Sequence, residues 1–182
     1  MKTQAVFLDR DGTINEDKGY VCRMKDFNLI PGVEEALKRL IQNKISIYII
    51  TNQSGIARGY YSEEDFKDFN REMLKRFEGM GILIEDVLYC PHHPEGILPK
   101  FRKNCSCRKP GTALAEEIIK KQHYQKEMVV VVGDKKSDIE MGRKLGVRTY
   151  LVETGHGMEH KQTTRADFVV KDLEEAVNSI LS

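Results

Sequence analysis

The stretch AVFLDRDGTIN, residues 5–15, decides how the rest of the chain is read. The apolar run Ala5–Leu8 stops at Asp9, a second carboxylate follows at Asp11, and Gly12 and Thr13 come next. A short apolar run ending in turn residues reads as a strand buried on both faces, the kind found in parallel sheets covered by helices. In extended chain, side chains at i and i+2 point the same way, so Asp9 and Asp11 are placed to address one locus. Two carboxylates that close repel each other unless a cation or a proton lies between them. With Mg²⁺ present, one could ligate it and still attack an electrophile while the other carries a proton. Gly12 lets the backbone turn sharply. Taken alone, the motif is also what an Asp cap before a Gly turn looks like.

Working outward, similar apolar runs recur at Ser46–Ile50, Asp86–Tyr89, Met128–Val132, Thr149–Val152 and Phe168–Val170. Helical stripes lie between them: Val33, Ala36, Leu37, Leu40 and Ile41; Phe66, Phe69, Met73, Phe77 and Met80; Leu114, Ala115, Ile118 and Ile119; Met141 and Leu145; and Leu173, Ala176, Val177, Ile180 and Leu181. Ser62, followed by acids at 63–65, is a natural N-cap for the second stripe. Strands alternating with helices predict an α/β fold, a doubly wound three-layer domain with a mostly parallel central sheet. No linker or repeat divides the chain, so residues 1–182 are expected to form one domain. In such folds ligands bind beyond the carboxyl ends of the strands. DRDGT, TNQSG, CPHHP and GDKKSD should therefore meet at one edge of the sheet.

Bulk composition narrows the function classes. The chain has 182 residues, 40% hydrophobic and 31% charged, with a net charge of +1. That balance gives no general attraction to nucleic acid or anionic membrane. The start of the chain lacks the pattern of a signal peptide, and no apolar run is long enough to span a bilayer. A cytoplasmic protein is expected, without nucleic-acid or membrane partners and acting as a monomer. In that compartment the four cysteines are better suited to metal or free thiols than to disulfides.

Each later motif adds chemistry. TNQSGIARG, residues 51–59, offers the Thr51 hydroxyl and N–H groups from Asn52 to Gly55, including Gln53 and Ser54, to phosphate oxygens. CRKPG, residues 107–111, offers Arg108 and Lys109 to neutralise a transferring anion. VVVVGDKKSD, residues 129–138, delivers Asp134 at a strand tip, where a carboxylate suits a hard metal. Asp138 is placed to support it or to orient a lysine, and either Asp134 or Ser137 could cap the helix that follows. Between these lies CPHHPEGILPKFRKNCSC, residues 90–107. Cys90 and His92, then Cys105 and Cys107, give three thiolates and an imidazole, the donor set of a closed structural Zn²⁺ site, with His93 as a substitute for His92. Such a clamp would also fix Arg108 and Lys109.

In their order and placement, Asp9-Arg10-Asp11-Gly12-Thr13, Thr51, Lys109 and Gly133-Asp134 with Asp138 resemble the four motifs of the haloacid dehalogenase superfamily of phosphotransferases. With the cysteine loop, they are similar to its branch of heptose bisphosphate and histidinol phosphatases. The resemblance implies that Asp9 is the nucleophile and that Asp11 protonates the leaving alkoxide and then activates water. It implies that Asp9, the carbonyl of Asp11, and Asp134 hold Mg²⁺. Thr51 and Lys109 would bind the phosphoryl group, with Asn52 and Arg108 near it. Lys135 would sit beside metal and substrate, and Asp17, Lys18, Gly19 and Tyr20 would contact a sugar. The segment 13–29 is too short for a folded cap, so an open, capless site is expected. The long spacer inside the cysteine loop favours a small-molecule sugar bisphosphate, the heptose substrate, over histidinol phosphate. Arg58, Lys100, Arg102 and Lys103 are candidates to hold its second phosphate.

Overall fold

The computed structural model describes residues 2–182. Strands β1 (Ala5–Leu8), β2 (Ser46–Asn52), β3 (Asp86–Cys90), β4 (Val129–Gly133), β5 (Arg148–Val152) and β6 (Phe168–Val170) form one sheet in the order β3-β2-β1-β4-β5-β6. Every pairing is parallel. The period-2 alternation of the strands sorts their side chains between two cores. Val6, Leu8, Ile47, Ile49, Val130 and Val132 pack under α1 (Val33–Gln42), α3 (Glu63–Gly79) and α7 (Leu173–Leu181). Ala5, Phe7, Tyr48, Ile50, Val129 and Val131 pack under α4 (Ala113–Gln122) and α5 (Lys136–Leu145). The result is the expected three-layer, doubly wound arrangement, with an all-parallel sheet. The winding reverses between β1 and β4, and that crevice is where such folds place a ligand.

Ser62 caps α3 as its sequence predicts. Its hydroxyl accepts from the Asp65 N–H at 3.0 Å, and the Asp65 carboxylate accepts from the Ser62 N–H at 2.8 Å. The helix after β4 differs from expectation. Lys135 occupies the cap position, so the helix already runs through Ser137, and the Asp138 carboxylate accepts from the Lys135 N–H at 2.9 Å. Strand β2 is also longer than its apolar run. Thr51 and Asn52 pair with Tyr89 and Cys90, because ladder bonds continue where hydrophobicity stops. Two helices of four residues each, α2 (Ser54–Ala57) and α6 (Gly157–His160), are too short to show a period in sequence. Between β1 and α1 the described residues hold a single 3₁₀ turn, Met24–Asp26, so no folded cap covers the sheet edge there.

Candidate active site

The crevice collects the tips of four strands. Asp9 leaves β1 with its N–H donating to the Val132 carbonyl at 3.0 Å, which ties it to β4. Its side chain is buried, and Oδ1 accepts from Lys109 Nζ at 2.8 Å. Lys109 Nζ also donates to the Ile50 carbonyl at 2.6 Å and lies 2.6 Å from Asp138 Oδ1. Asn52 at the end of β2 fixes the lysine's backbone: its Nδ2 donates to the Lys109 carbonyl at 3.1 Å and its Oδ1 accepts from the Lys109 N–H at 3.0 Å. Burial alone would strip the charges from Asp9 and Lys109. Lys109, with help from Lys135, outweighs it and holds the Asp9 carboxyl below its ordinary range. Asp138 and Asp9 in turn hold the Lys109 ammonium above its own. Asp138 therefore orients the lysine, one of the two roles its position allows.

Asp134 follows β4 and is fully buried. Its Oδ2 accepts from the His156 N–H at 2.8 Å, and its Oδ1 has no partner. Burial first, then the charge of Asp9, pushes its carboxyl up to about 8. Carboxylate oxygens of Asp9, Asp134 and Asp138 lie within 4.8 Å of one another. An unpartnered buried carboxylate oxygen beside a second carboxylate is what a divalent cation relieves, and an all-oxygen set suits Mg²⁺. With Asp138 engaged by Lys109, the fitting donors are Asp9, Asp134 and the Asp11 carbonyl, which faces Lys135 Nζ at 3.3 Å. Two glycines make room for them. A Cβ on Gly12 (φ +90°) would lie 2.2 Å from Asp134 Oδ2, and one on Gly155 (φ +54°) 2.3 Å from it.

The Asp11 carboxylate takes a different set of partners from Asp9. Oδ1 accepts from Arg10 Nε at 3.1 Å, Arg10 Nη2 at 2.9 Å and Asn15 Nδ2 at 3.0 Å. Oδ2 accepts from Arg10 Nη2 at 2.8 Å and Gln53 Nε2 at 3.2 Å. Arg10 itself is fully buried, its guanidinium 4.8 Å from the Phe69 ring centroid and 5.6 Å from that of Phe66. Gln53 Nε2 also donates to Thr51 Oγ1 at 2.8 Å, and Gln53 Oε1 accepts from the Tyr61 hydroxyl at 2.6 Å. The Gln53 N–H donates to the Cys90 carbonyl at 2.8 Å, so that amide, expected to face phosphate, belongs to the β2–β3 edge instead.

Above these groups opens a cleft of about 310 Å³. Asp11, Asp17, Gly19 and Tyr20 line one side, Asn52, Gln53 and Ser54 another, with Arg108 and Lys135 between. Lys135 Nζ lies 3.0 Å from Asp17 Oδ2, 3.7 Å from Asp134 Oδ2 and 4.0 Å from Asp9 Oδ2. Those carboxylates overcome its burial and keep it charged. Lys18 turns to Glu16 at 3.3 Å and is not part of the lining. Arg58, Lys100, Arg102 and Lys103 are not in it either. Arg58 meets His93 Nε2 at 3.2 Å, and Lys100 lies 3.7 Å from Glu63.

Beside the cleft, Cys90, His92, Cys105 and Cys107 converge. Cys107 Sγ lies 3.1 Å from both Cys90 Sγ and Cys105 Sγ, and 3.3 Å from His92 Nδ1. All four donor atoms fall within 4.8 Å of one another, a set compatible with tetrahedral Zn²⁺. His93 points elsewhere, toward Arg58 and the Glu95 N–H, which selects His92 of the two. Arg108 Nη1 donates to the His92 carbonyl at 3.2 Å, so this cluster braces one wall of the cleft.

Three side chains escaped the sequence. Arg10 lies inside the first motif but had no role there, although a basic residue between two acids is itself a signal. Tyr61 and His156 sit outside every motif. The lysine that Asp138 orients is Lys109, a residue distant along the chain.

Residues 106–176 match the family of HAD-hydrolase-like proteins. A D-glycero-beta-D-manno-heptose-1,7-bisphosphate 7-phosphatase from Haemophilus ducreyi is 40% identical over 179 residues, 97% of this chain and 98% of that protein. A D-glycero-alpha-D-manno-heptose-1,7-bisphosphate 7-phosphatase from Photorhabdus laumondii is 42% identical over 159 residues, 85% of each. The crystal structure of D,D-heptose 1,7-bisphosphate phosphatase from B. bronchiseptica, complexed with magnesium and phosphate, superimposes with a TM-score of 0.87 at 27% identity, covering 98% of both chains.

Proposed function

The chain belongs to the haloacid-dehalogenase-like hydrolases, in the family of heptose-1,7-bisphosphate 7-phosphatases, and from that premise we propose that it removes the 7-phosphate of D-glycero-D-manno-heptose 1,7-bisphosphate with Mg²⁺. The observation that carries this reading is the Asp9 carboxylate, held ionised by Lys109 beside the unpartnered oxygen of Asp134. Basic groups and N–H donors would suffice for binding phosphate; three carboxylates beside them call for chemistry.

In this mechanism Thr51 and Lys109 hold oxygens of the phosphoryl group, with Arg108 and Lys135 adding positive charge at the cleft wall. Asp9, Asp134 and the Asp11 carbonyl would bind Mg²⁺, which neutralises the phosphoryl oxygens and orients them for attack. An Asp9 oxygen attacks phosphorus as the bond to the sugar oxygen breaks. The leaving oxygen takes the bond's electron pair and a proton from Asp11. Asp11, now ionised, takes a proton from water as that water attacks the aspartyl phosphate. Phosphate leaves, Asp9 is restored, and Asp11 is again protonated.

Asp17, Gly19, Tyr20, Asn52, Gln53 and Ser54 would read the sugar. Cys90, His92, Cys105 and Cys107 would bind a structural Zn²⁺. Residues 1–182 would work as one domain, as a monomer, in the cytoplasm. The four cysteines are free thiols, and among the described residues no helix is long and apolar enough to cross a membrane. The test is kcat/KM on both heptose bisphosphate anomers, histidinol phosphate and a 3′-phosphorylated oligonucleotide. A heptose bisphosphate should lead by a wide margin, and Asp9→Asn should abolish phosphate release. Full turnover in that variant would sink the mechanism, and a different leading substrate would sink the assignment.

A further inference from the structure

We propose that Tyr60 is a positioning residue for substrate recognition: its ring stands behind Tyr20 and holds that ring as the end wall of the cleft. This rests on the reading that Tyr20 meets the sugar of a heptose bisphosphate. Tyr20 lines the 310 Å³ cleft and also a second cavity of about 520 Å³ beside it. Tyr60 lines the second cavity and not the cleft. The two rings meet with centroids 4.4 Å apart and planes inclined at 60°, an edge contact that aromatic pairs favour. Tyr60 therefore supports Tyr20 from the side of the second cavity.

The core fixes neither ring, since Tyr20 is 46% exposed and Tyr60 61%. Their roots differ. Tyr20 has φ +56°, in the left-handed region that a bulky residue rarely takes, and follows Gly19 at φ +74°. Strain kept at one exposed ring points to a use for its orientation. The turn before it is closed by the Gly19 N–H, which donates to Asp17 Oδ1 at 3.0 Å. Tyr60 is rooted between two helices. Its N–H donates to the Gly55 carbonyl in α2 at 2.9 Å, and Ser62 caps α3 two residues later. The second cavity shows what the wall keeps out of reach. Asp26, Asp65, Asp68 and Glu72 line it together with Arg23, so its charge is negative. A doubly phosphorylated sugar straying there meets like charge. With Tyr20 upright, the sugar meets an aromatic ring instead, which shields its C–H groups from water.

Steady-state kinetics of the intact Mg²⁺-loaded enzyme on heptose bisphosphate test this. Tyr60→Ala should raise KM about fivefold, the effect of one aromatic contact, with kcat changed by less than about twofold and the melting temperature nearly constant. Tyr60→Phe keeps the ring and should restore the wild-type KM. Tyr20→Ala should raise KM at least as much. Adding Tyr60→Ala to it should change KM by less than about twofold, because Tyr60 then has nothing to hold. An unchanged KM in Tyr60→Ala or Tyr20→Ala, no rescue by Tyr60→Phe, or a full further rise in the double variant would overturn the proposal. So would a loss in kcat with a lower melting temperature, the mark of a merely structural role. Wild-type protein that does not turn over heptose bisphosphate defeats the proposed function, and the Tyr60 role goes with it. Wild-type turnover without this pattern of KM removes the Tyr60 role alone.

Discussion

Lys109 stands between the two buried carboxylates of Asp9 and Asp138; its charge holds the Asp9 carboxyl low and offsets part of the burial that pushes the Asp138 carboxyl up. Removing one partner of a buried ion pair leaves the other charge poorly compensated, a loss on the order of 3 kcal/mol. Asp138→Asn should therefore shift the urea midpoint to lower concentration by about that free energy and also reduce turnover, since Lys109 loses its orientation. Asp134 carries the opposite problem. With its folded carboxyl near 8 against an ordinary 3.8, the metal-free fold binds more protons than the unfolded chain between those values. Stability therefore falls as pH rises through that window. Asp9, held low, acts in the other direction, contributing stability that persists down to its ordinary range and is lost in stronger acid. Because Mg²⁺ needs the ionised Asp134, the thermal shift on adding Mg²⁺ should be larger at pH 8 than at pH 6. An equal shift at both values would remove Asp134 from the ligand set. Asp9, Asp11, Thr51 and Asp134 could be picked out because each sits at or just past the end of an apolar run, and Lys109 because it belongs to a basic pair before a Pro-Gly turn. Arg10, Tyr61 and His156 were not, because their roles come from partners brought in by folding.

At the scale of elements, the strands read clearly from their Val and Ile runs, and β2, β3 and β4 end one or two residues later than hydrophobicity indicates. Backbone pairing carries β2 through Thr51 and Asn52, and that extension sets Asn52 against Lys109. Helix α3 was legible down to its cap, and Ser62→Ala should cost about 1 kcal/mol in a denaturation experiment. The loop 91–107 is the reverse case: its converging Cys and His side chains could be picked out, but its path could not. It holds no helix or strand among the described residues; turn bonds such as that from the His93 N–H to the Phe101 carbonyl, the buried Phe101 and the four converging side chains fix its shape. Purified protein should carry about one Zn²⁺ per chain. Cys105→Ser should release it, lower the melting temperature and raise KM more than it lowers kcat, through Arg108. Metal-free protein of unchanged stability would dispose of the zinc assignment.

For the molecule as a whole, the alternation of strands and helices was enough to give the layers but not the sheet order. Which strand lies beside β1 depends on how α1, α3 and α7 gather on one face and α4 and α5 on the other, and nothing local in β1 encodes that. The outcome is that β1 lies at the centre, between β2 and β4. This has a consequence for synthesis. Asp9 is made well before its partners: the carbonyl that ties it down belongs to Val132, and Asp134 comes after that. A nascent chain that stops short of β4 can hold at most β3-β2-β1, with one side of β1 bare and Asp134 absent from the carboxylate cluster. On the ribosome, such a chain should be cut readily by protease, and resistance should appear abruptly once β4 and α5 have emerged from the exit tunnel. The Asp9 carboxylate is thus set in place only once β4, far along the chain from β1, has been made.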